Sequence, residues 1–184
     1  MESAWAAVSN RYEGYRLVLP GELSFLCQPD LCEAHCCRAF HVALGEEEVE
    51  RLAVVEPVSR FLEHEDGEPV NLPLARPFVL ARQGGQCIFL SEELSCQGYQ
   101  ARPDACRLYP HQVVFVQAEV GRPSRPPINE ALRALNALIS GEYPGPLVPL
   151  LLRHVECPGF TGRPMTADEW AEVLSDTYAL QSRL

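Results

Sequence analysis

The sequence predicts a small, irregular α+β single domain, with several short helices, one β-hairpin and a cysteine metal site built from loops. Three observations lead there. The chain has 184 residues, 47% of them hydrophobic, which suits one core. Its apolar residues fall in short runs broken by Pro- and Gly-rich stretches. And its eight cysteines, Cys27, Cys32, Cys36, Cys37, Cys87, Cys96, Cys106 and Cys157, are unevenly spread, four of them within eleven residues.

Residues 1–22 read as an irregular lead-in with room for a short helix. Residues 23–165 read as the cysteine-cluster domain, and 166–184 as a C-terminal capping helix. A helix over residues 31–38 is one option for the first cysteine group. Residues 45–65 read as helix: Glu46, Glu47 and Glu48 suit the positive end of its dipole, and Leu44, Val49, Leu52 and Val55 form an apolar face. Pro57 kinks that helix or starts a second one running through Leu62. Residues 65–77 are rich in Pro, Gly and charge and read as loop. Apolar runs at 78–82 and 87–90 flank Gln83-Gly84-Gly85-Gln86, a hairpin signature.

Residues 91–110 show little periodicity and read as a loop-rich knuckle. Residues 113–120 read as strand and 121–127 as a connector. Asn129 is placed as the cap of a helix running to Ser140, with Ile128, Leu132, Leu135, Leu138 and Ile139 on one side. Residues 150–154 are expected to form a helical turn. Thr166-Ala-Asp-Glu169 is a capping-box signature, and Trp170, Val173, Leu174 and Tyr178 follow on its helix.

Charge narrows the function. A net charge of −10 argues against general nucleic-acid binding, which needs cations on phosphates, and against anionic membrane surfaces. All 15 basic residues are arginine, which reads as genome composition. The first twenty residues carry Glu2, Arg11, Glu13 and Arg16 and no apolar core of a secretory leader. The most apolar stretch, 147–152, is too short to span a bilayer. A cytoplasmic protein is the expectation, and there thiols stay available for metals.

The first cysteine group reads Cys27-x4-Cys32-x3-Cys36-Cys37. On a helix, Cys32 and Cys36 would share a face and could reach one ion. Cys36 and Cys37 would point about 100° apart, so they are expected to serve different purposes. The second group reads Cys87-x8-Cys96-x9-Cys106, with Cys157 far downstream. No gap is a tight knuckle, so the fold must assemble the site, and metal binding is expected to couple to folding. Two four-thiolate sites, or one site plus structural cysteines, both fit. A buried unliganded Cys157 competes with a liganding one. His35 is a candidate zinc ligand, whereas His41, His64, His111 and His154 share no ligand spacing.

The stretch Cys32-Glu-Ala-His-Cys36-Cys37-Arg38, then Leu44-Gly-Glu-Glu-Glu-Val-Glu-Arg-Leu52, then Cys87-Ile-Phe-Leu90 and Cys96-Gln-Gly-Tyr99-Gln-Ala-Arg102-Pro103-Asp-Ala-Cys106-Arg107-Leu-Tyr109-Pro110 resembles the YkgJ-type cysteine-cluster proteins, a zinc- or iron-chelating domain family. Cys157-Pro158-Gly159 resembles the family's last cysteine. The resemblance covers residues 23–165. The early spacing departs from the family's usual C-x2-C-x2-CC, at Cys27 above all. What the resemblance implies is metal chelation by the eight cysteines. Arg102 and Arg107 would donate to thiolates or cluster sulfides, or pair with carboxylates. Tyr99 and Tyr109 would shield the site.

Three functions compete. The first is an iron–sulfur protein, with a 4Fe-4S cluster on four thiolates and a redox or structural role. The second is a zinc-binding structural or interaction module, with an unknown protein partner. The third is a thiol-dependent redox enzyme. No hydrolase, kinase or methyl-transfer motif stands apart from the cysteines, and the all-sulfur donor set favours iron–sulfur.

Overall fold

The computed structural model describes residues 1–183. They form two compact units: Met1–Leu26 with Leu108–Arg183, and Cys27–Arg107. The first unit begins with α1 (Glu2–Val8) and β1 (Tyr15–Leu17). The second holds α2 (Pro29–Cys32), α3 (His35–Ala39), β2 (Ala43–Leu44), α4 (Glu46–Ala53), α5 (Val58–Phe61), β3 (His64–Glu65), β4 (Glu68–Pro69), β5 (Phe78–Val79), β6 (Arg82–Gln83) and β7 (Gln86–Cys87), and ends in α6 (Asp104–Leu108). The chain then returns to the first unit with β8 (His111–Gln117), β9 (Arg122–Ser124), α7 (Ile128–Ile139), β10 (Leu147–His154) and α8 (Ala167–Gln181). The α+β class, with short helices and small antiparallel sheets, agrees with the sequence.

The first unit is built on a four-stranded antiparallel sheet in the order β1-β10-β8-β9. Helices cover both faces. On one, α7 and α8 bring Ala131, Ala134, Leu135, Trp170, Leu174 and Tyr178 onto Val113, Phe115 and Leu151. On the other, Ala4 and Val8 of α1 pack on Val114, Val116, Leu150 and Leu152. A strand buried on both faces loses the alternation of a half-exposed one, which is why Val113–Val116 reads as an unbroken apolar run. Trp170 Nε1 donates to the Val18 carbonyl at 2.8 Å, and Gln181 bonds both backbone groups of Val113. Thr166 and Glu169 form the expected capping box at the start of α8.

Residues 150–154 correct the expected helical turn: they belong to the central strand β10. Leu150, Leu151 and Leu152 are fully buried, each contributing about 1.5–3 kcal/mol. Pro149 is tolerated for a register reason. Ala118 N–H donates to Pro146 O, and His154 N–H to Pro110 O. By antiparallel alternation, the even-numbered residues of β10 therefore bond β8. Pro149 faces the other side, where β1 pairs only residues 152–154. Its missing donor costs no ladder bond.

The second unit packs around Leu44, Leu52, Phe61, Leu62, Leu80 and Phe89, with Cys87 and Cys96 against this core. Pro57 sits at the N-terminus of α5, so of the two readings it starts a second short helix rather than kinking one long one. The predicted hairpin forms as β6–β7, where Gly84 and Gly85 both take positive φ, the geometry of a two-residue type I′ turn. Its outer part differs: Phe78–Val79 pairs with Ala43–Leu44 instead. The predicted loop at 65–77 opens with a small hairpin, β3–β4.

Candidate functional site

Residues 31–38 do not form one helix. Glu33 and Ala34 adopt left-handed φ values of 50° and 54°, ending α2 and starting α3 on a new axis. Cys32 and Cys36 therefore do not share a helix face. Cys32 closes its own turn, its thiol 3.7 Å from the Pro29 carbonyl. Cys27 is exposed.

Cys36 and Cys37, expected to diverge, lie with their sulfurs 4.0 Å apart. The edge of a tetrahedral zinc–thiolate site is about 3.8 Å when each Zn–S bond is about 2.3 Å. The two thiols form one coupled acid. A hydrogen bond from Cys37 holds Cys36 below the usual thiol range, and the same bond, with burial, pushes Cys37 above it. His35 adds a smaller attraction for the Cys36 thiolate.

The second cysteine group meets this pair. Helix α3 packs on β7, which ends in Cys87. Cys37 feels the charge of Cys87 and Cys96, and Cys106 feels Cys87, Cys36 and Cys96. Five thiols, Cys36, Cys37, Cys87, Cys96 and Cys106, thus share one electrostatic neighbourhood. Burial pushes Cys106 up to about 12, with the neighbouring thiols adding to it and Arg102 opposing. Burial raises Cys87 against the Phe89 N–H, and raises Cys96 against the Gly98 N–H and the Arg102 charge. In both, a backbone N–H two residues downstream donates to sulfur, which favours the thiolate, the liganding form.

A second set of contacts holds this arrangement. Arg82 donates to the carbonyls of Arg38, Phe40 and Gly85, fastening the end of α3 to the β6–β7 turn. Glu48, only 3% exposed, is the N3 residue of α4. Its Oε2 accepts from Gly45 N–H at 2.8 Å and from Arg76, and its Oε1 accepts from Asp104 N–H at 2.7 Å. Arg51 donates to Asp104 at 2.9 Å and to the Arg102 carbonyl at 3.0 Å. Cys106 rides on the short helix these residues anchor. That helix corrects the predicted loop over 91–110.

Of the two arginines singled out, Arg102 donates to the Tyr99 carbonyl at 2.9 Å and stacks over the Tyr99 ring at 3.6 Å. Its charge reaches Cys96 and Cys106. Arg107 takes the carboxylate option, 3.8 Å from Asp104. Tyr99 is 43% exposed and shields little. Cys157 lies in the first unit, buried. Glu48, Arg51, Arg76, Arg82 and Asp104 were not singled out by sequence. Only the placement of Glu48 at N3 hinted at a role, and nothing in the run of three glutamates separates it from its neighbours.

Among the described residues, no disulfide links any of the cysteines, and no three His, Cys, Asp or Glu side chains are gathered closely enough to hold a metal ion as they stand. The donor chemistry nevertheless fits a thiolate-held centre: all sulfur, sufficient in number, with N–H groups already turned to two of the sulfurs. A cysteine-rich chelating protein is the class this defines. The chain belongs to the family described as "CxxCxxCC: Putative zinc- or iron-chelating domain", matched over residues 26–128. No curated protein and no solved structure matches the chain. Among the described residues, no helix is long and apolar enough to cross a membrane.

Proposed function

We propose that Cys36, Cys37, Cys87, Cys96 and Cys106 supply the ligands of an iron–sulfur cluster, of 4Fe-4S type, with a redox or structural role in the cytoplasm. The observation that carries this reading is that five thiols lie near enough to feel one another's charge, with Cys36 and Cys37 4.0 Å apart, one thiol more than a four-thiolate cluster needs. The N–H groups of Phe89 and Gly98 would tune such a centre by hydrogen bonds to its ligand sulfurs. Arg102 would offset its negative charge. Arg107, paired with Asp104, would act through the backbone of α6. Cys27, Cys32 and Cys157 are retained as candidate ligands of lower rank: Cys27 is exposed, Cys32 turns its thiol to the Pro29 carbonyl, and Cys157 is buried in the first unit.

One observation favours the zinc module instead: the 4.0 Å separation of Cys36 and Cys37 is close to a zinc–thiolate edge. Anaerobic purification with an absorption spectrum and elemental analysis separates the readings. Brown protein with bound iron and a broad band near roughly 400 nm supports the cluster. Colourless protein with stoichiometric zinc supports the module. Metal-free, well-folded protein with one hyper-reactive thiol overturns both and leaves the redox enzyme.

A further inference from the structure

Cys36 and Cys37 are neighbours in sequence, and their sulfurs stand 4.0 Å apart. Cys87, Cys96 and Cys106 share their electrostatic neighbourhood. A four-thiolate cluster takes one sulfur on each iron, so its ligand sulfurs stand apart at different corners. Two sulfurs in contact serve one corner between them. One of the pair is then a ligand, and the other stands beside it unused. A thiol poised next to a reactive sulfur is the arrangement of redox-sensing cysteines.

A bond between these two sulfurs would be a weak one. Adjacent Cα atoms lie about 3.8 Å apart across a trans peptide, below the roughly 4.4–6.8 Å that disulfides usually span. The bond is accordingly strained, and it encloses no intervening residue, so it adds little stability. Strained disulfides are the labile, regulatory ones. The backbone there can yield. Helix α3 has five residues and follows Glu33 and Ala34, both left-handed. Its start is held by the Cys37 N–H on the Ala34 carbonyl at 2.9 Å and by the Arg38 N–H on the same carbonyl at 3.2 Å. So short a helix has little stability of its own. Arg82 fastens its far end through the Arg38 and Phe40 carbonyls, which confines the change to the turn that carries the thiols. Both thiols are half-buried, within reach of a small molecule.

We propose that Cys36 and Cys37 form a dithiol–disulfide switch that releases the bound centre, an inference that rests on the cluster reading above. The oxidant is a small-molecule disulfide such as glutathione disulfide. The spare sulfur attacks it, forming a mixed disulfide and expelling one glutathione, which takes the spare thiol's proton. The ligand sulfur then attacks the protein sulfur of that mixed disulfide. The Cys36–Cys37 bond forms, and the second glutathione leaves as thiolate and takes a proton from water. Two electrons pass from the pair to the glutathiones. Three thiols remain, one too few for the centre.

The test is titration of the full chain, metal-loaded and metal-free, with glutathione disulfide, followed by alkylation and mass mapping. Cleavage at glutamate isolates residues 34–46, whose only cysteines are Cys36 and Cys37. That fragment should become lighter by two hydrogens and closed to alkylation. One centre should be lost per disulfide formed and regained on reduction and reloading. Bound metal holds one of the sulfurs, so by linkage the metal-free chain should close its pair at lower oxidant. Of Cys36→Ser and Cys37→Ser, the one that removes the spare thiol should keep its metal where the unchanged protein has lost it. A pair that stays open at oxidant levels that modify the exposed Cys27 overturns the switch. So does failure of both serine variants to hold metal, or metal loss from both that equals the loss from the unchanged protein. A chain that holds no metal under any loading overturns the chelating function and the release step together.

Discussion

Glu48 and Asp104, 56 residues apart, are joined by a buried hydrogen bond: the Asp104 N–H donates to Glu48 Oε1 at 2.7 Å. The other oxygen of the same carboxylate caps α4 at Gly45. One side chain thereby closes the first turn of two helices, and the second of them carries Cys106.

Replacing Glu48 by Ala should remove the carboxylate partner of Arg76, 13% exposed on its side chain, and uncap both helices. Removing one partner of a buried ion pair costs about 3–5 kcal/mol. We expect a loss of that size in urea unfolding, with reduced bound metal in what remains folded. A change below about 1 kcal/mol would mean the pair is solvated and unimportant.

The cysteines should not be equivalent. Cys96→Ser and Cys106→Ser are expected to lose metal and to destabilise the fold more than Cys27→Ser, whose thiol is exposed. Metal content by elemental analysis and a thermal melt decide this, and equal metal in all three variants would refute it.

His111 makes stability pH-dependent. Burial, helped by the Arg153 charge, lowers its pKa from 6.5 to about 4. The folded state therefore holds it neutral where the unfolded chain would protonate it. Its contribution is complete above pH 6.5 and is lost as pH falls towards 4, by about 3 kcal/mol in all. His111→Phe keeps the edge-on contacts with Phe25 and Phe160 and should flatten that slope. Unfolding free energies measured between pH 4 and 7 test it.

Gly159 has no room for a side chain. A Cβ there would come within 2.6 Å of the Leu26 carbonyl and 2.7 Å of the Phe25 ring. Gly159→Ala should cost about 1–3 kcal/mol by forcing the backbones apart. A melting temperature equal to that of the unchanged protein would show that the segment yields freely.

What could be read from the chain alone follows from how local each signal is. Thr166 and Glu169 announce their capping box within four residues, and Gly84-Gly85 announces its turn in two. Leu150–Leu152 misleads because a strand buried on both faces looks like any short apolar run. The break at Glu33 and Ala34 was invisible, since neither residue type favours left-handed backbone. At the site, the cysteines declared themselves by number and clustering. Their braces did not: Glu48, Arg51 and Arg82 act on backbone groups 42 to 56 residues away, and no spacing rule marks such partners.

Pro149 has a consequence beyond its own strand. Its backbone nitrogen faces away from β8, and β1 does not pair residue 149. The position is buried, and a buried N–H left without an acceptor costs about 1–3 kcal/mol. Proline brings no such hydrogen, so the interior of the sheet is spared a donor that β1 is too short to satisfy.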